Sequence, residues 1–108
     1  MVKISIAPLS VNQAYRGRRF ATPELKAYKT AVAYSLPKKK IPEGKLRIDY
    51  EFGFSSSRSD LDNAVKICQD SIAEFYGFND NRIYEIRAVK KITKKGKEYV
   101  AFEIKPCA

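Results

Sequence analysis

From Leu46 to Phe54 an apolar side chain falls at every second position, with Arg47, Asp49 and Glu51 between the first four. Successive side chains of a strand point to opposite faces, so this segment predicts a strand with one buried and one wetted face. Val2 to Ala7 alternates in the same way. Arg82 to Ile92 and Glu98 to Lys105 predict two further strands, joined at Thr93-Lys94-Lys95-Gly96-Lys97, where Gly96 can supply a positive φ. Elsewhere the period lengthens. Thr22-Pro23-Glu24 is a helix start, and Leu25, Tyr28, Val32 and Leu36 keep helical spacing until Pro37. A second helix is predicted from about Leu61 or Asp62 to about Tyr76, with Leu61, Val65, Cys68, Ile72 and Phe75 inward and Gly77 as its stop. Pro8 to Ala21 carries turn formers and three arginines without a period and reads as a loop.

The order is βαβαββ. It predicts one α/β (α+β) domain over residues 1–108, a mixed four-stranded sheet packed with two helices. Strand order is not set by the pattern.

Composition narrows the chemistry. The chain has 108 residues, 44% of them hydrophobic, enough for one core of ordinary size. It has no apolar run long enough to span a bilayer and no basic-then-apolar leader, so the expectation is a cytoplasmic protein without membrane contact. Cys68 and Cys107 do not form a disulfide or metal framework. His is absent, which excludes Ser-His-Asp triads, Cys-His pairs and His-bound zinc and leaves carboxylates and Lys as catalytic material. Lys and Arg number 21 against 12 Asp and Glu, a net charge of +9 suited to polyanions.

Set into this basic chain is Arg58-Ser59-Asp60-Leu61-Asp62-Asn63, followed by Lys66, Asp70 and Asp80. Bunched carboxylates repel phosphates unless a divalent cation sits between them, so the pattern points to metal-dependent cutting of nucleic acid. Asp62, Lys66 and Asp70 are spaced to share one helix face. Asp60 lies just before that helix, and Asp80 approaches it if the following strand packs beside the one ending near Phe54. Each acid also has a plain structural use. Asp60 and Asp62 suit a helix N-terminus, Asp62 and Lys66 an exposed ion pair, and Asn79-Asp80-Asn81 a turn.

The stretch Arg58 to Lys66, then Asp70-Ser71-Ile72, then Gly77-Phe78-Asn79-Asp80-Asn81-Arg82-Ile83, resembles the RusA family of Holliday junction resolvases. The opening Pro8 to Arg16, continuing to Thr22-Pro23, is similar to that family's first loop. The resemblance implies a small homodimeric, Mg²⁺-dependent endonuclease of bacteria and their phages that cuts four-way DNA junctions, with Mn²⁺ as a substitute metal and no nucleotide cofactor. Carried onto this chain, it makes Asp60, Asp62 and Asp80 the metal-holding catalytic carboxylates and Lys66 the catalytic or phosphate-contacting lysine, with Asn63 and Asp70 supporting them. Ser59 stands where many relatives have Pro or a basic residue, and Asn79 where an acid often precedes the catalytic Asp.

The expected DNA contacts are Asn12, Tyr15, Arg16, Arg18, Arg19 and Arg58, with further candidates at Lys38 to Lys40 and at Lys90, Lys91, Lys94, Lys95 and Lys97. Resolving a junction takes two cuts, which a chain with one acidic site makes symmetrically by pairing with a copy of itself. Two other readings share these residues: a non-catalytic nucleic-acid-binding or architectural module whose acids cap a helix, and a metal-dependent ribonuclease.

Overall fold

The computed structural model describes residues 1–16 and 20–107, without the side chains of Val11, Asn12, Tyr15, Arg16 and Phe20. Four strands form one sheet: β1 (Val2–Ile4), β4 (Leu46–Phe54), β5 (Ile83–Ile92) and β6 (Tyr99–Pro106). Two long helices, α2 (Pro23–Ser35) and α3 (Leu61–Tyr76), accompany it, so the expected α+β fold in βαβαββ order holds. The opening segment is more structured than a loop. It folds as a short helix α1 (Val11–Ala14) and a two-stranded pair of β2 (Tyr15–Arg16) with β3 (Phe20–Ala21).

The sheet order is β1-β6-β4-β5. β4 is central, antiparallel to β6 and parallel to β5, with α3 as the crossover between the parallel strands. Although β5 and β6 are joined by a tight turn in which Gly96 has φ +91°, they are not a hairpin, because β4 lies between them. The alternating pattern explains why. Leu46, Ile48, Tyr50, Phe52 and Phe54 are all buried, each inward side chain worth about 1.5–3 kcal/mol over exposure, and a strand with such a face is covered best at the centre of a sheet.

Helices cover one face of the sheet only. Leu25, Tyr28, Val32 and Leu36 on and just after α2, and Ala64, Ile67, Cys68 and Ile72 of α3, pack with the inward residues of β4 and with Val100, Phe102 and Ile104 of β6. The buried stripe of α3 is rotated from the expected one: Ala64, Ile67 and Ser71 are inside, while Phe75 is exposed and packs edge-on against Tyr76. Leu61 and Val65 are only partly buried, at the margin facing β5. Within the core the Tyr28 hydroxyl faces the Cys68 thiol, and burial pushes that thiol up to about 12 although the Tyr28 hydroxyl acts to lower it.

The other face of the sheet is charged. Asp49 accepts from Arg47 at 2.9 Å and from Lys105 at 3.1 Å. Burial opposes its charge, but these two cations outweigh burial and hold the carboxyl below its ordinary value. Farther along, the Tyr99 ring crosses Gly53, its hydroxyl donating to Glu51 at 2.8 Å and Lys3 lying 4.2 Å from the ring centroid. A Cβ at Gly53 would come within 2.3 Å of that ring. Gly53→Ala is therefore expected to expel Tyr99 and destabilise by about 1 kcal/mol, whereas in a Tyr99→Ala background the same change should be neutral or stabilising. Urea denaturation of the four proteins of this cycle measures the reversal.

Candidate active site

β4 ends at Phe54, and the chain reaches α3 through residues 55–60. Asp60 occupies the N-cap position with extended backbone, φ −89° and ψ 125°, yet its side chain makes no capping hydrogen bond. The helix-cap explanation therefore fails for Asp60. Its carboxylate is exposed and, among the described residues, receives a long hydrogen bond of 3.4 Å from Asn63 Nδ2. It lines a cleft of about 240 Å³ with Arg58 and Asn63 on its own side and Pro8, Ser10 and Gln13 opposite.

The opposite wall is built by local hydrogen bonds. Gln13 Oε1 accepts from the Ser10 amide and Ser10 Oγ from the Gln13 amide, both at 3.2 Å, a reciprocal capping box that starts α1. The buried Thr22 hydroxyl donates to Gln13 O at 2.6 Å, and the Leu25 amide donates to the same hydroxyl. The expected α2 cap thus also anchors the opening segment. Ser10-x-x-Gln13 was a readable signal for both residues.

The Asp60 loop has its own clamp. Lys90 on β5 donates to the carbonyls of Ser57, at 2.7 Å, and Ser59, and its ammonium lies 5.7 Å from the Phe54 ring centroid. Lys90 was a phosphate-contact candidate by sequence; the structure gives it a holding role instead. It ties down the loop that leads into Asp60.

Asp62, one residue into α3, is exposed and borders a second, apolar hollow of about 470 Å³ between α3 and β5, lined by Leu61, Val65, Ile86 and Ala88. Lys66 donates to Asp70 at 2.9 Å, so an i,i+4 pair runs forward along the helix. Asp80 is elsewhere. It opens the single-turn helix Asp80–Arg82 that follows α3, where the Asn79 side chain accepts from the Asn81 amide and provides the turn chemistry. β5 does pack beside β4, but in parallel with Leu46 opposite Ile83, so Asp80 lies at the start of β4 and Asp60 beyond its end. The 16 residues of α3 separate them, about 24 Å of helix at about 1.5 Å per residue. The expected approach of Asp80 to Asp60 within one chain is thus corrected by the parallel register. Among the described residues no three His, Cys, Asp or Glu side chains are placed to hold a metal ion.

Of the expected DNA contacts, Arg58 is exposed in the cleft. Asn12 lies on α1, and Tyr15 and Arg16 form β2, their side chains not described; Arg18 and Arg19 fall outside the described residues. α1 packs against α2 and α3, so this segment borders the site. No described helix is long and apolar enough to cross a membrane.

The sequence model of the RusA endodeoxyribonuclease family matches residues 8–103. The chain belongs to the RusA family. The match begins at Pro8, on one wall of the cleft, and runs through the acids on the other. A search of the curated proteins gives no match. Membership carries the reaction class, hydrolysis within DNA by a junction-resolving endonuclease.

Lys90→Met keeps an unbranched stem over Phe54 but removes the donors to Ser57 and Ser59. Amide exchange at residues 55–60 should then quicken, while the denaturation midpoint changes little. Hydrogen-exchange mass spectrometry reads this directly.

Proposed function

We propose that this RusA-family protein is a Mg²⁺-dependent endodeoxyribonuclease that resolves four-way junctions as a homodimer. The carrying observation is the cleft itself. Two segments about 50 residues apart in sequence, the Ser10–Gln13 turn and the Arg58–Asn63 run, form facing walls of one hollow, and the acid between them is not engaged in capping its helix. Acids that only stabilised a helix terminus would be expected to bond to its first amides.

A divalent cation suits oxygen donors in a chain without His. A single chain does not present the full set, since its described residues gather no three such ligands. Asp60 and Asp62 are the two carboxylates at one end. Lys66 lies one turn into the same helix with its side chain 57% exposed, and its pair with Asp70 is of the exposed kind worth about 0.2–1 kcal/mol. Turned toward a scissile phosphate, the ammonium would stabilise developing negative charge. Arg58 and the exposed lysines at 38–40, 94, 95 and 97 supply counterion-releasing phosphate contacts.

The test is a cleavage gel with a synthetic junction, linear duplex and RNA, in Mg²⁺ and in EDTA, beside a mobility-shift titration. The junction should be cut in Mg²⁺ alone, with duplex and RNA spared; cutting of RNA would move the protein to the ribonuclease class. Asp60→Asn and Asp62→Asn should each cut at least about a hundredfold more slowly while binding the junction at least as tightly in EDTA, because a repulsive charge has gone. Lys66→Ala should lose cleavage on the same scale while stability changes by less than about 1 kcal/mol. An Asp62→Asn protein that cuts normally would show that this acid serves the helix and not the reaction.

A further inference from the structure

We infer that Lys90 is a positioning residue of the site: by gripping the carbonyls on either side of Arg58, it keeps Asp60 out of the helix cap and directed into the cleft. The inference rests on the reading of Asp60 as a metal ligand and adds what holds it ready. Asp60 has two uses open to it at the start of α3. Its extended backbone, φ −89° and ψ 125°, is that of an N-cap, and an N-cap side chain ordinarily accepts from the second or third amide of its helix, here those of Asp62 and Asn63. The carboxylate instead meets the Asn63 side chain, at 3.4 Å, and lines the cleft. A backbone set for capping with a side chain that does not cap needs a cause.

Lys90 supplies it. β5 sets Lys90 opposite Phe52, near the end of β4. From there its ammonium passes the Phe54 ring, 5.7 Å from the centroid, and donates to the carbonyls of Ser57, at 2.7 Å, and Ser59. Bonds within the loop are longer, the Arg58 amide to Ser56 Oγ at 3.2 Å and the Ser59 amide to Ser56 O at 3.4 Å. The Thr93 amide, just past β5, donates to Phe54 O at 2.7 Å, so the same end of β5 holds the connection at its entrance and its exit. A peptide unit is planar, so fixing the Ser59 carbonyl fixes the Asp60 amide with it, and thereby the direction in which the Asp60 side chain leaves the chain. Hydrogen bonds from an ammonium are roughly twice as strong as neutral ones, and two of them outweigh the single cap bond that Asp60 forgoes.

Without the clamp, Asp60 divides between capping α3 and facing the cleft, and a cation is served by the second state alone. Apparent affinity for the cation then falls with the fraction of chains left in that state, and excess cation draws the others back. Loss of a preference worth one cap bond corresponds to about a fivefold to tenfold shift. Lys90 therefore acts on the metal requirement and not on contact with DNA.

The test compares the parent, Lys90→Met, Asp60→Ala and the double variant. Lys90→Met should need about fivefold to tenfold more Mg²⁺ for half-maximal cleavage of a synthetic junction, recover most of its rate at saturating Mg²⁺, and bind the junction in EDTA as the parent does. Amide exchange followed by NMR gives a readout independent of activity. In Lys90→Met the loop at residues 55–60 should exchange faster but Asp62 and Asn63 more slowly, because the released carboxylate now caps them. In the double variant that slowing should vanish, and Asp60→Ala alone should leave exchange at Asp62 and Asn63 as in the parent. If Lys90→Met quickens exchange at Asp62 and Asn63 along with the loop, Lys90 is a structural prop only and the inference falls. A Lys90→Met protein with the parental Mg²⁺ requirement also overturns it; weaker junction binding with a shallower salt dependence would then make Lys90 a phosphate contact. Should Lys90→Met fail to fold, Asp60→Ala decides, since faster exchange at Asp62 and Asn63 would show that Asp60 already caps the helix beside Lys90. Normal cutting by Asp60→Asn would instead remove the reading of Asp60 on which the inference rests, so the two failures are separable.

Discussion

The parallel pairing of β4 with β5 governs the rest of the molecule. β4 is hydrogen-bonded along both edges and buries an entire face, so it fixes where every other element can lie. A parallel neighbour requires a crossover to return the chain to the starting end, and α3 is that crossover. Its N-terminus therefore stands beyond the end of β4 and its C-terminus near the beginning. Because the acidic run lies at one end of the helix and Asp80 just past the other, sheet topology, more than side-chain conformation, sets the distance between the acids.

Much of this architecture was legible in the chain. The two-residue period of Leu46–Phe54 and the Thr22-Pro23 and Gly77 signals located β4, α2 and the end of α3 nearly to the residue, because each rests on local backbone and burial preferences. The pairing of β5 was not legible. Gly96 supplies a positive φ whether the strands it joins are neighbours or flank a third, so the turn carries no information about partners. The face of α3 was misread by a fraction of a turn for a related reason. Ala64 and Ser71 are small, and a count of large apolar residues passes over positions whose small side chains let the helix sit close to the sheet.

The site was half legible. The residue types at Asp60, Asp62 and Lys66 and the absence of His narrowed the chemistry, but capping and catalysis make the same demand of a sequence at a helix start. Only the position of the Asp60 carboxylate, at the cap and not capping, separates them. The cations show the converse. Lys90 and Arg82 look like surface charge in sequence, yet Lys90 holds the loop before α3 and Arg82 donates to the carbonyls of Pro42 and Gly44 in the connector. Net charge measures attraction for a polyanion; it does not say which cations are already committed to the fold.

The exposed lysine clusters that remain follow the same two-ended logic. Lys94, Lys95 and Lys97 lie in the turn after β5, where the Thr93 amide bonds to Phe54 O, so they share an end with Asp60. Lys38 to Lys40 follow Pro37, whose carbonyl accepts from Tyr76 at the close of α3, and so share an end with Asp80. In one chain the two clusters flank opposite ends of the sheet and define no continuous path for a DNA strand. Each end of the sheet therefore pairs acids with a cluster of exposed lysines, and the positive charge beside the carboxylates offsets their repulsion of a phosphate backbone.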